Sequence, residues 1–348
     1  MTHGPDAHAD RLIVEPFWQS ETMSGESLFF VDSGDGTAAA TLLFDHAEQL
    51  SLTSATGDIE FESGRDYTVD GPAGVVSRTA TSRIPFATLE ELYPPVDPFV
   101  LVGDADEFHR RQTAATYRHR RGDWQGYVPR LAATELRRTL QRLTASQPLT
   151  LCITGDSISE GYNASGVTGA PPGQPPYGDL VAAGLERAYG SRVTLENFAT
   201  SGWTADDGVA DVARVVNARP DLVIVAFGMN DAGYAEAPHF AANIEGIMKG
   251  VRASAPDAEF VLVSPMLPNP NWAHPAAERF GAYRDALSRL CGTGAALADM
   301  TTLWQDLLQR KGVHDLSGNG INHPNDFGHR LYAEVVLALM VEPASRHA

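Results

Sequence analysis

Lysine is almost missing from this 348-residue chain, which has only Lys249 and Lys311, and cysteine is as scarce, with Cys152 and Cys291. Two cysteines so far apart exclude a disulfide framework and the paired CxxC spacing of structural zinc. Nor does any cluster of histidines and carboxylates carry ligand spacing, so the expected chemistry uses no metal and no cofactor. Long apolar runs are also absent, since none approaches the roughly 18 residues that would cross a bilayer. Positive charge is in short supply: the formal net charge is -18, which repels nucleic acid and anionic lipid surfaces. The expected partner is small and neutral, with no nucleic acid and no membrane. The first ten residues hold His and Asp where a leader would need basic and then apolar residues, so the cytoplasm is the expected location. A chain already trimmed of a leader would read the same way and would be secreted.

What remains is ordinary globular composition, 43% hydrophobic and 20% charged, long enough for one large domain or two ordinary ones. From residue 12 to 102 the text is short and β-like, with runs at 27–31, 39–44, 49–53, 59–62, 67–69 and 74–78. They are separated by turn signals such as Ser33-Gly34-Asp35-Gly36 and Asp70-Gly71-Pro72. This spacing predicts a small antiparallel β-sandwich over residues 1–105, left through the proline-rich stretch 93–98. Residues 106–147 are rich in arginine. Leu136, Leu140 and Leu143 stand at helical spacing there, so the segment reads as a linker with an amphipathic helix and a solvated basic face.

From residue 148 to 348 short apolar runs (149–154, 193–199, 222–227, 260–264, 295–298) alternate with helical stretches (177–189, 205–218, 238–255, 276–290, 301–309, 326–340). That alternation predicts an α/β domain whose parallel sheet is covered by helices on both faces. In such sheets ligands bind at the carboxyl ends of the strands, so the loops that follow the apolar runs carry the chemistry. After the first run comes Gly155-Asp156-Ser157, which presents a serine hydroxyl at the start of a helical turn. After the second, Gly202 leaves a backbone N–H open to a ligand atom. The third ends in Gly228-Met229-Asn230-Asp231, with an amide side chain at a strand tip. The N–H groups of Ser157 and Gly202 and the Asn230 amide can converge on one oxygen as an oxyanion hole. Past the last strand, His323 sits on a loop held by Pro324 ahead of a helix, where a general base for Ser157 is needed. Asp326 reads as the N-cap of that helix.

Gly-Asp-Ser at 155–157, Gly202, Gly-x-Asn-Asp at 228–231 and His-Pro-Asn at 323–325 resemble, in order and spacing, the four sequence blocks of the SGNH/GDSL hydrolases. The resemblance covers residues 148–341. It implies a three-layer flavodoxin-like fold, a nucleophile at Ser157, oxyanion donors at Ser157, Gly202 and Asn230, a base at His323 and no metal. In one place the sequence departs from the family, which usually carries aspartate three residues before the histidine; here Gly320 stands there. Asp315, Asn319 or a backbone carbonyl can orient His323 instead, and Asp315 is favoured because an ionised partner stabilises the imidazolium. The long proline-stiffened loop 162–177, the loop 265–275 with Trp272 and His274, and Trp203 are expected to rim the site. A polar and aromatic rim suits sugars better than a long acyl chain. The expected function is a serine esterase of short acyl esters, O-acetyl groups on a carbohydrate. The alternatives are a lipid-directed esterase, lysophospholipase or thioesterase on the same machinery, or a non-catalytic carbohydrate-binding protein.

Overall fold

The computed structural model describes residues 15–34, 36–93, 105–272 and 277–342. Nine strands build the N-terminal part: β1 Thr22–Phe29, β2 Val31–Asp32, β3 Ala38–Thr41, β4 Glu48–Ser54, β5 Glu60–Phe61, β6 Tyr67–Asp70, β7 Val75–Arg78, β8 Ala87–Thr88 and β9 Gln112–Arg118. They form two sheets, ordered β1-β9-β4-β5 and β6-β7-β3-β2-β8. All pairings are antiparallel except β2 with β8.

Strand β9 corrects the reading of residues 106–147 as a linker with a helix. It is paired on both sides, with β1 (Leu28 opposite Thr113) and with β4 (Leu52 opposite Ala115), so the first sheet is complete only at residue 118. Thr113, Ala115 and Tyr117 are buried at period two while Thr116 and Arg118 are not, which is a half-buried strand pattern. The arginines at 110, 111, 118, 120 and 121 flank this alternation and hide it. Within the expected linker the helix keeps only Arg137–Thr144, with Leu136 and Leu143 buried. A second helix, Ala105–Arg111, leads directly into β9. Beyond Tyr93, the proline-rich exit lies outside the described residues.

The C-terminal part contains β10 Leu149–Gly155, β11 Val193–Asn197, β12 Leu222–Ala226, β13 Glu259–Val263 and β14 Ala295–Ala298. Their order is β11-β10-β12-β13-β14 and every pairing is parallel. This is the flavodoxin-like order, wound in both directions from its first strand. Every residue of β12 and β13 is buried, as expected for strands with helices on both faces. Helices Tyr177–Tyr189 and Asp326–Ala338 pack together, and the long helix Ala237–Ser254 packs with Ala205–Ala210, Val212–Asn217 and Ala277–Leu290. Among the described residues no helix is long and apolar enough to cross a membrane.

The winding places the carboxyl ends of β10 and β12 side by side, with Gly155 opposite Ala226. A Cβ at position 155 would come within 2.5 Å of the Ala226 carbonyl and 2.7 Å of Ser159 Oγ. Only glycine allows this approach, and the chain can then turn at once into the next helix. The two parts of the chain share one apolar core. Polar links cross between them as well: Asn325 Nδ2 donates to Ser27 Oγ at 2.9 Å, and the buried Arg330 donates to the carbonyls of Ser24 and Gly25 at 3.2 and 2.5 Å.

Candidate active site

Ser157 opens the short helix Ser157–Glu160, so its backbone N–H has no intrahelical acceptor. Asp156 caps that helix, its Oδ1 accepting from Ile158 N at 3.0 Å. Burial, helped by the charge of Asp231, pushes the Asp156 carboxyl up to about 7. Asp231 is itself raised to about 6 by burial, and its Oδ1 accepts from Ala205 N at 2.9 Å. The two strand-end loops that bear the serine and Gly202 are thus each held by a buried carboxylate.

The loop after β11 is sewn to the serine turn, because Thr200 N donates to Gly155 O at 3.1 Å and Ser201 N to Glu160 Oε2 at 2.6 Å. Gly202 follows in an exposed left-handed conformation with φ of 82°. At the tip of β12, Asn230 donates one Nδ2 hydrogen to Trp203 O at 2.9 Å. That bond fixes the amide beside the Gly202 loop and leaves its second N–H for another acceptor.

His323 meets the serine directly: Nε2 lies 2.9 Å from Ser157 Oγ. The ring packs edge-on to Tyr162 at 5.3 Å between centroids. Burial, with a smaller contribution from His329, lowers the imidazole to about 4, so it stays neutral as a base needs to be.

The other ring nitrogen meets a residue of the loop expected to rim the site. Asn163 Oδ1 lies 2.9 Å from His323 Nδ1, while Asn163 Nδ2 donates to Gly318 O at 3.1 Å and thereby sets the orientation of the amide. Asn163 follows the serine by six residues and holds φ of 66°, rare outside glycine but tolerated by asparagine. That unusual conformation was not visible in the sequence, where the residue passed as part of the substrate rim.

Asp315 does not orient the histidine, which corrects the favoured expectation. Its Oδ1 accepts from Phe29 N at 2.6 Å and its Oδ2 from Gly312 N at 2.7 Å, with Lys311 Nζ 3.6 Å away. The short helix Val313–Leu316 turns this carboxylate into the interface with β1. Asn319 does reach Nδ1, but with its amide nitrogen, at 3.2 Å. Its Oδ1 is committed to the N–H groups of Ile321, Asn322 and His323. The N-cap of the last helix is Asn325, accepting from Gly328 N, and not Asp326, whose Oδ1 accepts from Ser165 N instead. His329 is fully buried, its Nε2 3.0 Å from Tyr162 O. The loop after β13 is tied to the histidine loop through Asn269, which donates to Ile321 O and Gly320 O. Trp272 is half-buried, and His274 lies outside the described residues.

Similar solved structures include a two-domain esterase active on acetylated mannans, co-crystallised with mannopentaose. It is 23% identical with a TM-score of 0.48 over 61% of this chain and 54% of that one. A carbohydrate esterase family 3 protein from Talaromyces cellulolyticus is 18% identical (TM-score 0.42, 54% and 94% covered). The acetyl xylan esterase AlAXEase is 17% identical (TM-score 0.43, 56% and 100% covered). The chain thus spans about half the length of the two-domain esterase. No curated protein matches the sequence. The GDSL-like lipase/acylhydrolase family matches residues 153–331, the stretch that runs from β10 through the serine, glycine, asparagine and histidine loops, and the chain belongs to that family.

Proposed function

We propose that the chain is a serine esterase that removes short acyl groups, O-acetyl groups on a carbohydrate, through an acyl-enzyme. The observation that carries this reading is the 2.9 Å contact between Ser157 Oγ and His323 Nε2 at the carboxyl end of β10. A neutral imidazole there takes the hydroxyl proton as Oγ attacks the acyl carbon. Charge then develops on the former carbonyl oxygen, and the N–H groups of Ser157 and Gly202 and the free Asn230 N–H stabilise it. The protonated His323 returns its proton to the departing alcohol oxygen, which leaves the acyl group on Ser157. Water, activated by the same histidine, releases the acid.

The residues beside the histidine and the oxyanion donors support a hydroxyl-rich leaving group. Tyr162 is exposed and edge-on to His323, Trp203 carries the carbonyl that holds Asn230, and Asn322 stands next to the base. Such amphipathic rings and amides suit a sugar better than a long acyl chain. A series of p-nitrophenyl esters from acetate to decanoate tests the acyl preference, and acetate release from acetylated mono- and oligosaccharides tests the alcohol. Turnover that rises with chain length would favour a lipid-directed esterase, and no turnover on any ester would favour a binding protein.

A further inference from the structure

We infer that Asn163 is the positioning residue of His323, taking the place that an aspartate three residues before the histidine holds in related chains. The inference rests on the esterase reading, in which His323 Nε2 accepts the Ser157 proton. An imidazole whose Nε2 accepts must carry its proton on Nδ1. Two amides contend for that nitrogen. Asn163 offers an oxygen at 2.9 Å and Asn319 a nitrogen at 3.2 Å. Only the oxygen can receive an Nδ1–H. Neither amide is free to turn over. Asn163 is held by its bond to Gly318 O, whereas the Asn319 oxygen serves three backbone N–H groups and its nitrogen donates to Asn322 Oδ1 at 3.0 Å. Asn163 therefore selects the productive tautomer, and Asn319 shapes the loop.

The geometry also accounts for the missing aspartate. Gly320 has φ of 73°, and a Cβ there would come within 3.1 Å of Phe108, which stacks on Phe29 of β1. The N-terminal part fills the space that an acidic side chain at 320 would need. Against the His323 ring stand Tyr162 edge-on and His329 from the last helix, while Asp326 is turned to Ser165 N and Asp156 to Ile158 N. No carboxylate among the described residues comes within ion-pair distance of the ring. A neutral partner orients the base without raising its proton affinity, so the histidine works as a base further into acid than one paired with aspartate.

The test compares the wild-type chain with Asn163→Ala and Asn163→Asp, with thermal unfolding recorded for each. Asn163→Ala should lower kcat about 10- to 100-fold, the rate equivalent of one buried hydrogen bond, with KM within about twofold of wild type. Asn163→Asp should retain turnover at neutral pH and move the acid limb of the kcat profile upward by roughly one pH unit or more. A merely structural asparagine would not give that shift. Nitrogen-15 NMR of the His323 ring near neutral pH reads the tautomer without any substrate. A proton on Nδ1 in wild type, with the preference lost in Asn163→Ala, supports the inference. A proton on Nε2 in wild type, a folded Asn163→Ala with unchanged kcat, or an unmoved acid limb in Asn163→Asp would each overturn it. A wild-type chain that turns over no ester but shows the Nδ1 proton would sink the esterase reading and leave the positioning intact.

Discussion

At the scale of single residues the chemistry depends on which atoms remain uncommitted. Asn230 spends one N–H on Trp203 O and keeps the other. Asn230→Ala should therefore lower kcat about 100- to 1000-fold, the usual cost of deleting one oxyanion donor. KM should change much less, because the charge appears only in the transition state. A normal kcat with a raised KM would make Asn230 a substrate-binding residue. His323 gives a second expectation. Burial holds its conjugate acid near 4, so the neutral base is present above that value and lost as the pH falls through it. A kcat profile between pH 3.5 and 8 should stay flat well below the ordinary histidine range, whereas an acid limb near 6.5 would contradict the burial argument. The positions of Ser157, Gly202, Asn230 and His323 in the strand-end and pre-helix loops were legible, because each stands just after a recognisable apolar run or just before a helix. Asn163 and Asp315 were not. Which carboxylate or amide reaches a ring nitrogen is decided by how loops far apart in sequence approach one another, and sequence spacing carries no record of that.

Elements reveal the same division. Strands β10, β12 and β13 were readable as apolar runs, since burial on both faces leaves few polar interruptions, whereas the edge strand β11 has no buried residue. Strand β9 was lost among arginines, although it is the strand that joins β1 to β4. Helix Ala105–Arg111, which precedes it, brings Phe108 against the histidine loop at Gly320. Restoring the related chains' acid by Gly320→Asp should therefore fail. The left-handed backbone and the crowding against Phe108 should together cost about 2–4 kcal/mol. Thermal unfolding measures that loss, and the kcat profile should show no upward shift of its acid limb. A Gly320→Asp variant as stable as wild type, with a raised acid limb, would mean that Phe108 yields and that the loop accepts a carboxylate.

For the molecule as a whole, the decisive feature is that the β-sheets and the α/β domain are one structure joined by buried charge. Lys311, one of only two lysines in the chain, is fully buried and donates to Glu26 Oε1 of β1 at 2.5 Å and to Thr41 O of β3 at 2.7 Å. Glu26 is equally buried, and it accepts from Tyr117 of β9 at 2.5 Å and from Leu43 N at 2.9 Å. Asp315 completes the group by holding Phe29 N of β1. Strands β1, β3 and β9 are thus gathered around one ammonium supplied by the C-terminal part. Exchanging a buried pair for apolar groups can be neutral, but removing one member strands the other. Lys311→Met should accordingly destabilise the chain by about 3–5 kcal/mol, because it leaves Glu26 buried without its ammonium partner, with the Tyr117 hydroxyl and Leu43 N as its remaining donors. In Lys311→Met with Glu26→Gln the glutamine oxygen can still accept from Leu43 N or Tyr117, and Asp315 loses the ammonium but keeps its bonds from Phe29 N and Gly312 N, so part of that loss should be recovered. Denaturant unfolding of the two variants beside wild type measures both numbers. Equal losses in the single and double variants would show that the ammonium acts through its bond to Thr41 O and its packing, and that the ion pair itself does not join the two parts.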